Sequence, residues 1–159
     1  MKRATIKTFV RHPRELVLAV RMIPFILFLP LSLRLFKIQD LVAKITPRSP
    51  AARRRQMDPA RVAYLCEQSL ARIERFGYRR SCLKRCLVIY HFLRAEGVPV
   101  TINFGALWEG DTLKGHSWLT LDGALYLETQ EKVDQFVYFF SLPPVDGKRH
   151  KDLGQVHFD

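Results

Sequence analysis

The chain has few cysteines, little acid in its first third, and no long uncharged apolar run. Its three cysteines, Cys66, Cys82 and Cys86, are odd in number and irregularly spaced. That excludes a disulfide framework and fits a reducing, cytoplasmic compartment. Cys82, Cys86 and His116 lack the paired spacing of a zinc site, so neither a metal nor another cofactor is expected. The longest uncharged stretch, Met22 to Leu33, has 12 residues, against about 20 for a spanning helix. Pro24 and Pro30 interrupt it, and the Arg34-Leu35-Phe36-Lys37 that follows is unlike a signal-peptide cleavage site. Internal repeats are also missing. With 159 residues, 48% of them hydrophobic and 26% charged, the chain has enough material for one ordinary domain with a core, and is neither disordered nor fibrous.

Charge is unevenly placed. Residues 1–55 hold 13 Lys and Arg against Glu15 and Asp40, whereas residues 56–159 hold 13 basic and 13 acidic side chains. The whole net charge of +11 therefore sits in a basic, hydrophobic, helical arm. Leu31, Leu35, Ile38, Leu41 and Ile45 make an apolar stripe there. Two readings of this arm stand side by side: helices packed on the domain or docked on a partner, and peripheral membrane contact through residues 1–55. Nucleic acid is not expected as a partner, because no recognition motif is present and the rest of the chain is neutral. Residues 46–57, with Pro47, Pro50 and Arg53-Arg54-Arg55, read as a linker.

Beyond the linker the pattern is α+β. Asp58-Pro59 predicts a helix start, with Asp58 as side-chain cap. Val62, Leu65, Cys66, Leu70 and Ile73 follow at helical spacing, and Gly77 ends the run. Ser81 predicts the N-cap of a second helix, Gly97 and Pro99 its end, and Leu83, Cys86, Leu87, Tyr90 and Leu93 its inner face. The period then falls to two. Val98 to Leu107, His116 to Leu121, Ala124 to Thr129 and Gln135 to Leu142 predict an antiparallel meander, with Asp122-Gly123 as a hairpin signal.

Cys82 falls in the first turn of the second helix, where free N–H groups and the helix dipole favour a thiolate, and Arg79, Arg80 and Arg85 add to that. A thiol nucleophile needs a base, and His116 opens a strand. His91 lies on the Cys82 helix but nine residues on, about 13 Å along its axis. An acid should orient the imidazole. Asp122, six residues along an extended strand, is about 20 Å from His116 and serves as a turn residue. Glu128 is preferred: a three-residue loop of Asp122, Gly123 and Ala124 pairs Leu121 with Leu125 and Trp118 with Glu128, which sets Glu128 diagonal to His116. Cys86, one turn beyond Cys82, reads as core.

Ser81-Cys82-Leu83-Lys84-Arg85-Cys86-Leu87, Leu93-Arg94-Ala95-Glu96-Gly97-Val98 and Gly115-His116-Ser117-Trp118-Leu119-Thr120-Leu121-Asp122-Gly123 resemble the lasso-peptide leader peptidases in their stand-alone form, without a fused recognition element. These form a transglutaminase-like branch of the papain-type cysteine-protease fold, with Cys-Leu-x-Arg-Ser-Leu on the helix and His-Ala-Trp on the strand. The resemblance implies residues 1–55 as arm and linker, 56–142 as a transglutaminase-like catalytic domain and 143–159 as a C-terminal tail. In that domain a Cys-bearing helix packs on an antiparallel sheet. It also implies Cys82 as nucleophile, His116 as base and a leader–core precursor peptide as substrate. A separate leader-recognition protein and an ATP-dependent macrolactam synthetase are the implied partners. The chain departs from the pattern at Cys86, where Ser is common, at Ser117, where Ala is common, and at Glu128, where Asp is usual.

Overall fold

A computed structural model describes residues 13–47 and 57–144. Most of the expected linker, with Arg53-Arg54-Arg55, and the tail beyond Pro144 lie outside the described residues. Two helices lead the chain, α1 (Pro13–Leu35) and α2 (Ile38–Ile45). After the linker come α3 (Pro59–Glu74) and α4 (Cys82–Ala95), then strands β1 (Val100–Glu109), β2 (Thr112–Leu121) and β3 (Ala124–Tyr126), the short helix α5 (Gln130–Val133), and β4 (Val137–Leu142).

The helix boundaries follow local chemistry. Pro59 opens α3 at a position where its missing N–H costs nothing; Asp58 occupies the N-cap site but its side chain makes no capping bond there. Gly77, at φ +89°, turns the chain out of the helix. Ser81 caps α4 by accepting the Lys84 N–H at 3.4 Å. At the far end Val98 N–H bonds to the Leu93 carbonyl and Gly97 N–H to that of Arg94, both at 3.0 Å. With Gly97 at φ +79°, this is a Schellman cap.

α4 is the centre of the molecule. Leu87, Val88, Ile89, Tyr90 and Leu93 are fully buried between α1 and α3 on one side and the sheet on the other. The sheet order is β3-β2-β1-β4, all antiparallel. The expected meander is therefore corrected at its last step, because β4 crosses over to pair with β1. The β1–β2 hairpin closes through Gly110-Asp111, with Glu109 opposite Thr112 and Gly110 at φ +59°, so both strands run further toward this turn than the predicted Leu107 and His116 bounds.

The basic arm behaves differently from its proline-broken expectation. α1 runs as one helix of 23 residues through Pro24 and Pro30. Met22 and Ile26 are 0% exposed against α3 and α4, and packing of this kind overrides the local loss of two N–H donors. Glu15 takes a bidentate ion pair from Arg61 of α3 at 2.8 and 2.9 Å. Phe25 stacks on His91 of α4 at 4.3 Å, and His91 Nδ1 bonds to the Ile45 carbonyl at 2.7 Å. By length and composition Arg14–Leu35 is long and apolar enough to cross a membrane, which corrects the 12-residue limit: Arg21 is a lone charge inside the run, not its boundary.

Candidate active site

Cys82 is the first residue of α4 and is partly exposed. Arg85 and Cys86, three and four residues on, share its helix face. Cys86 touches the strand that carries His116, and Arg85 the turn that follows β3. The Cys86 thiol donates to the Ser117 carbonyl at 3.3 Å. Its burial pushes the thiol pKa up to about 12, so it stays protonated and structural. Cys66 is likewise buried on the inner face of α3.

His116 lies on β2 opposite Gly105 of β1. Its ring is buried and flanked by Phe136 at 4.8 Å and Trp118 at 6.1 Å, both near parallel. Gly105 makes room for this stack. A Cβ there would meet the Val137 carbonyl at 2.8 Å and the Trp118 ring at 2.9 Å, just where the β1–β4 register shifts between Phe104 and Gly105. Gly105→Ala should therefore force β4 and the Trp118 ring apart, at a cost of about 1–3 kcal/mol. A melting temperature lowered by roughly 5 °C is the expected readout; an unchanged one would show that the contact yields freely.

Glu128 meets His116, but not by the expected register. Leu121 pairs with Ala124 and Thr120 with Leu125. The loop is thus the two-residue Asp122-Gly123, with φ +51° and +81°, a type I′ turn. Continued as a strand, this register would put Glu128 on the wrong face. β3 instead stops at Tyr126, and Leu127 takes a left-handed φ of +62°. That single residue redirects the chain and brings Glu128 Oε2 to 3.6 Å from His116 Nε2. His116 lies in the middle of β2 rather than opening it, because the strand begins at Thr112, and Asp122 stays at the hairpin tip beyond the strand's last residue.

Arg85 holds this turn. Its Nη2 donates to the Leu127 carbonyl at 3.1 Å, its Nη1 lies 3.6 Å from Glu128 Oε2, and its Nε bonds to Glu67 of α3 at 2.5 Å. Lys132 of α5 reaches the other Glu128 oxygen at 3.1 Å. The first turn of α4, the left-handed turn and the His116 strand are thereby tied through one carboxylate. Arg80, read from sequence as a neighbour of the thiol, is committed to Glu67 at 3.1 Å. Arg85 stands out in the sequence only for its charge; its grip on Leu127 and Glu128, and the parts played by Phe136, Gly105 and Lys132, carry no sequence signal. Among the described residues, no group of three His, Cys, Asp or Glu could hold a metal ion.

Desolvation holds the His116 imidazole below its ordinary pKa of 6.5, helped by Lys132 and opposed by Glu128. His91 is lowered too, first by burial. Both rings ionise less readily in the folded chain, so below pH 6.5 the unfolded chain binds more protons. Their contribution to stability is present above that pH and lost as pH falls through the folded values. A melting temperature followed from about pH 8 down to about pH 5 should decline once below the mid-sixes. A flat profile would contradict the lowering of the two imidazoles by burial.

A partly exposed thiol at a helix N-terminus, an imidazole on the neighbouring sheet and a carboxylate 3.6 Å from that ring are the residue types that acyl transfer through sulfur uses. The family model described as transglutaminase-like superfamily matches residues 25–141, from within α1 to within β4. A search of curated proteins and a search of solved structures gave no match.

Proposed function

The chain belongs to the transglutaminase-like superfamily, a fold common to cysteine proteases and transglutaminases, and on that footing we propose that it is a cysteine peptidase that removes the leader of a ribosomally made lasso precursor before macrolactam closure. The observation that carries this reading is the His116–Glu128 pair, 3.6 Å apart, tied through Arg85 to the helix turn that Cys82 opens. The resemblance of the Cys82 and His116 segments to the leader peptidases supplies the substrate class.

In the proposed mechanism His116 takes the Cys82 proton, and its Nε2, turned to Glu128, leaves Nδ1 for the thiol. The sulfur attacks the carbonyl at the leader–core junction. Ser81 already occupies the Lys84 and Arg85 N–H groups through its side chain and carbonyl. The Cys82 N–H ahead of them has no intrahelical acceptor, so it is the donor for the oxyanion. His116 then protonates the leaving amine of the core peptide. Water, deprotonated by the same ring, hydrolyses the thioester and frees the leader acid and the thiol. The partners in this reading are a separate leader-recognition protein and an ATP-dependent macrolactam synthetase, in the cytoplasm.

The test is to incubate the full chain with the precursor peptide, with and without the recognition protein, and read the masses. Release of leader and core at one junction is expected, faster with the recognition protein. A precursor left intact by the folded protein with its partner present would contradict the proposal.

A further inference from the structure

A surface helix ordinarily turns one apolar stripe inward and a polar face to water. α1 does not. Its inner stripe is Leu18, Met22, Ile26 and Leu29, all buried. Its outer face is apolar as well: Val17, Val20, Leu27, Phe28, Leu31 and Leu35 are 52–66% exposed. These side chains recur three, four and seven residues apart, so they form one ridge along a helix about 34 Å long. Such a helix is apolar all round, the composition of an element buried on both sides, yet no described residue covers the outer ridge.

The charges around the ridge say what covers it. Arg14, Arg21, Arg34 and Lys37 are all exposed along α1 and just past its end. Of the two acids in the described part of the arm, Glu15 is turned inward to Arg61 and only Asp40 faces solvent. Lys44 sits over the Phe36 ring at 3.6 Å, an ammonium next to exposed aromatic surface. An apolar ridge rimmed by cations with scarcely an acid complements an anionic headgroup layer over hydrocarbon. Spanning is a poorer fit, since Met22 and Ile26 would have to leave the core.

We propose that α1 is a two-sided helix that seats the domain in the plane of an anionic lipid surface, its Met22 side in the protein and its Phe28 side in the bilayer interface. Docking through α1 does not depend on the chemistry at Cys82. Arg34, at the end of α1, lies close enough to Lys84 of α4 to help lower that ammonium's pKa, behind burial and Arg79. The Cys82 end of α4 therefore shares a basic flank with the docking helix.

The probe is sedimentation of the full chain with vesicles of equal parts phosphatidylcholine and phosphatidylglycerol, against vesicles of phosphatidylcholine alone. Binding to the anionic vesicles that weakens with salt is expected. The double variant Leu27→Ser with Phe28→Ser, at exposed positions, should weaken it by roughly tenfold or more while circular dichroism and melting stay as in the parent. Binding unaffected by the double variant would overturn the proposal, leaving adsorption by charge alone. No vesicle binding, with a dimer in solution that the double variant makes monomeric, would overturn it in favour of a second copy on the ridge.

Discussion

Cys82→Ala should abolish leader removal, with a loss of at least about 10⁴-fold in kcat, and should leave the melting temperature where it is. The two halves rest on different observations. In the proposed mechanism the Cys82 sulfur is the atom that attacks, and the other two thiols are poorly placed to replace it: Cys66 and Cys86 are 0% and 1% exposed. Stability should hold because Cys82 sits at the first helical position, partly exposed, and alanine is a good helix former. Peptide masses over time and a thermal melt check both. Cys86→Ser is the control. It places at this position the residue common in the family it resembles, and should keep cleavage. Retained cleavage in Cys82→Ala, or loss only in Cys86→Ser, would move the nucleophile.

His116→Ala should cost nearly as much, about 10³–10⁴-fold in kcat, since it removes the base for attack and the acid for the leaving amine. Glu128→Gln should cost less, about 10- to 100-fold, because the ring and its Phe136 and Trp118 flanks remain. The two variants also differ in kind. Glu128 raises the His116 pKa against desolvation, so removing its charge should move the acid limb of kcat/KM to lower pH. Lys132→Ala removes an influence of the opposite sign and should move that limb up. Asp122→Asn, at the hairpin tip, should leave both rate and limb unchanged. A large loss in Asp122→Asn with none in Glu128→Gln would mean that the wrong acid has been assigned.

The parts of the fold legible in the sequence are those set by neighbours in the chain. Ser81, Gly77 and Gly97 fix helix ends through one or two local bonds and Pro59 through its ring, while the side-chain cap expected of Asp58 is not made. Illegible were the features decided by distant contacts. Nothing local says that α1 survives Pro24 and Pro30; Met22 and Ile26 in the core decide that. The short helix α5 falls in the gap between two predicted strands, where the sequence pattern assigns no element. β4 beside β1 depends on Gly105 letting the Val137 backbone approach.

The candidate acid is the most instructive residue. Glu128 stands beside His116, but by way of a two-residue loop and a left-handed Leu127 in place of the three-residue loop the sequence predicts. Sequence could not show that Leu127 adopts a left-handed turn, because the groups holding it there belong to Arg85, 42 residues earlier. Residue types suited to the chemistry could be picked out from the chain, but the path that brings them together could not.

The most direct test of the central claim is to trap the acyl-enzyme. Precursor peptide and protein, mixed with the recognition protein and quenched rapidly in acid, should yield a species heavier by the mass of the leader acyl group. Digestion should place that mass on the peptide containing Cys82, and His116→Ala should not accumulate it. Leader release with no such adduct at any time point, undiminished in Cys82→Ala, would contradict the account.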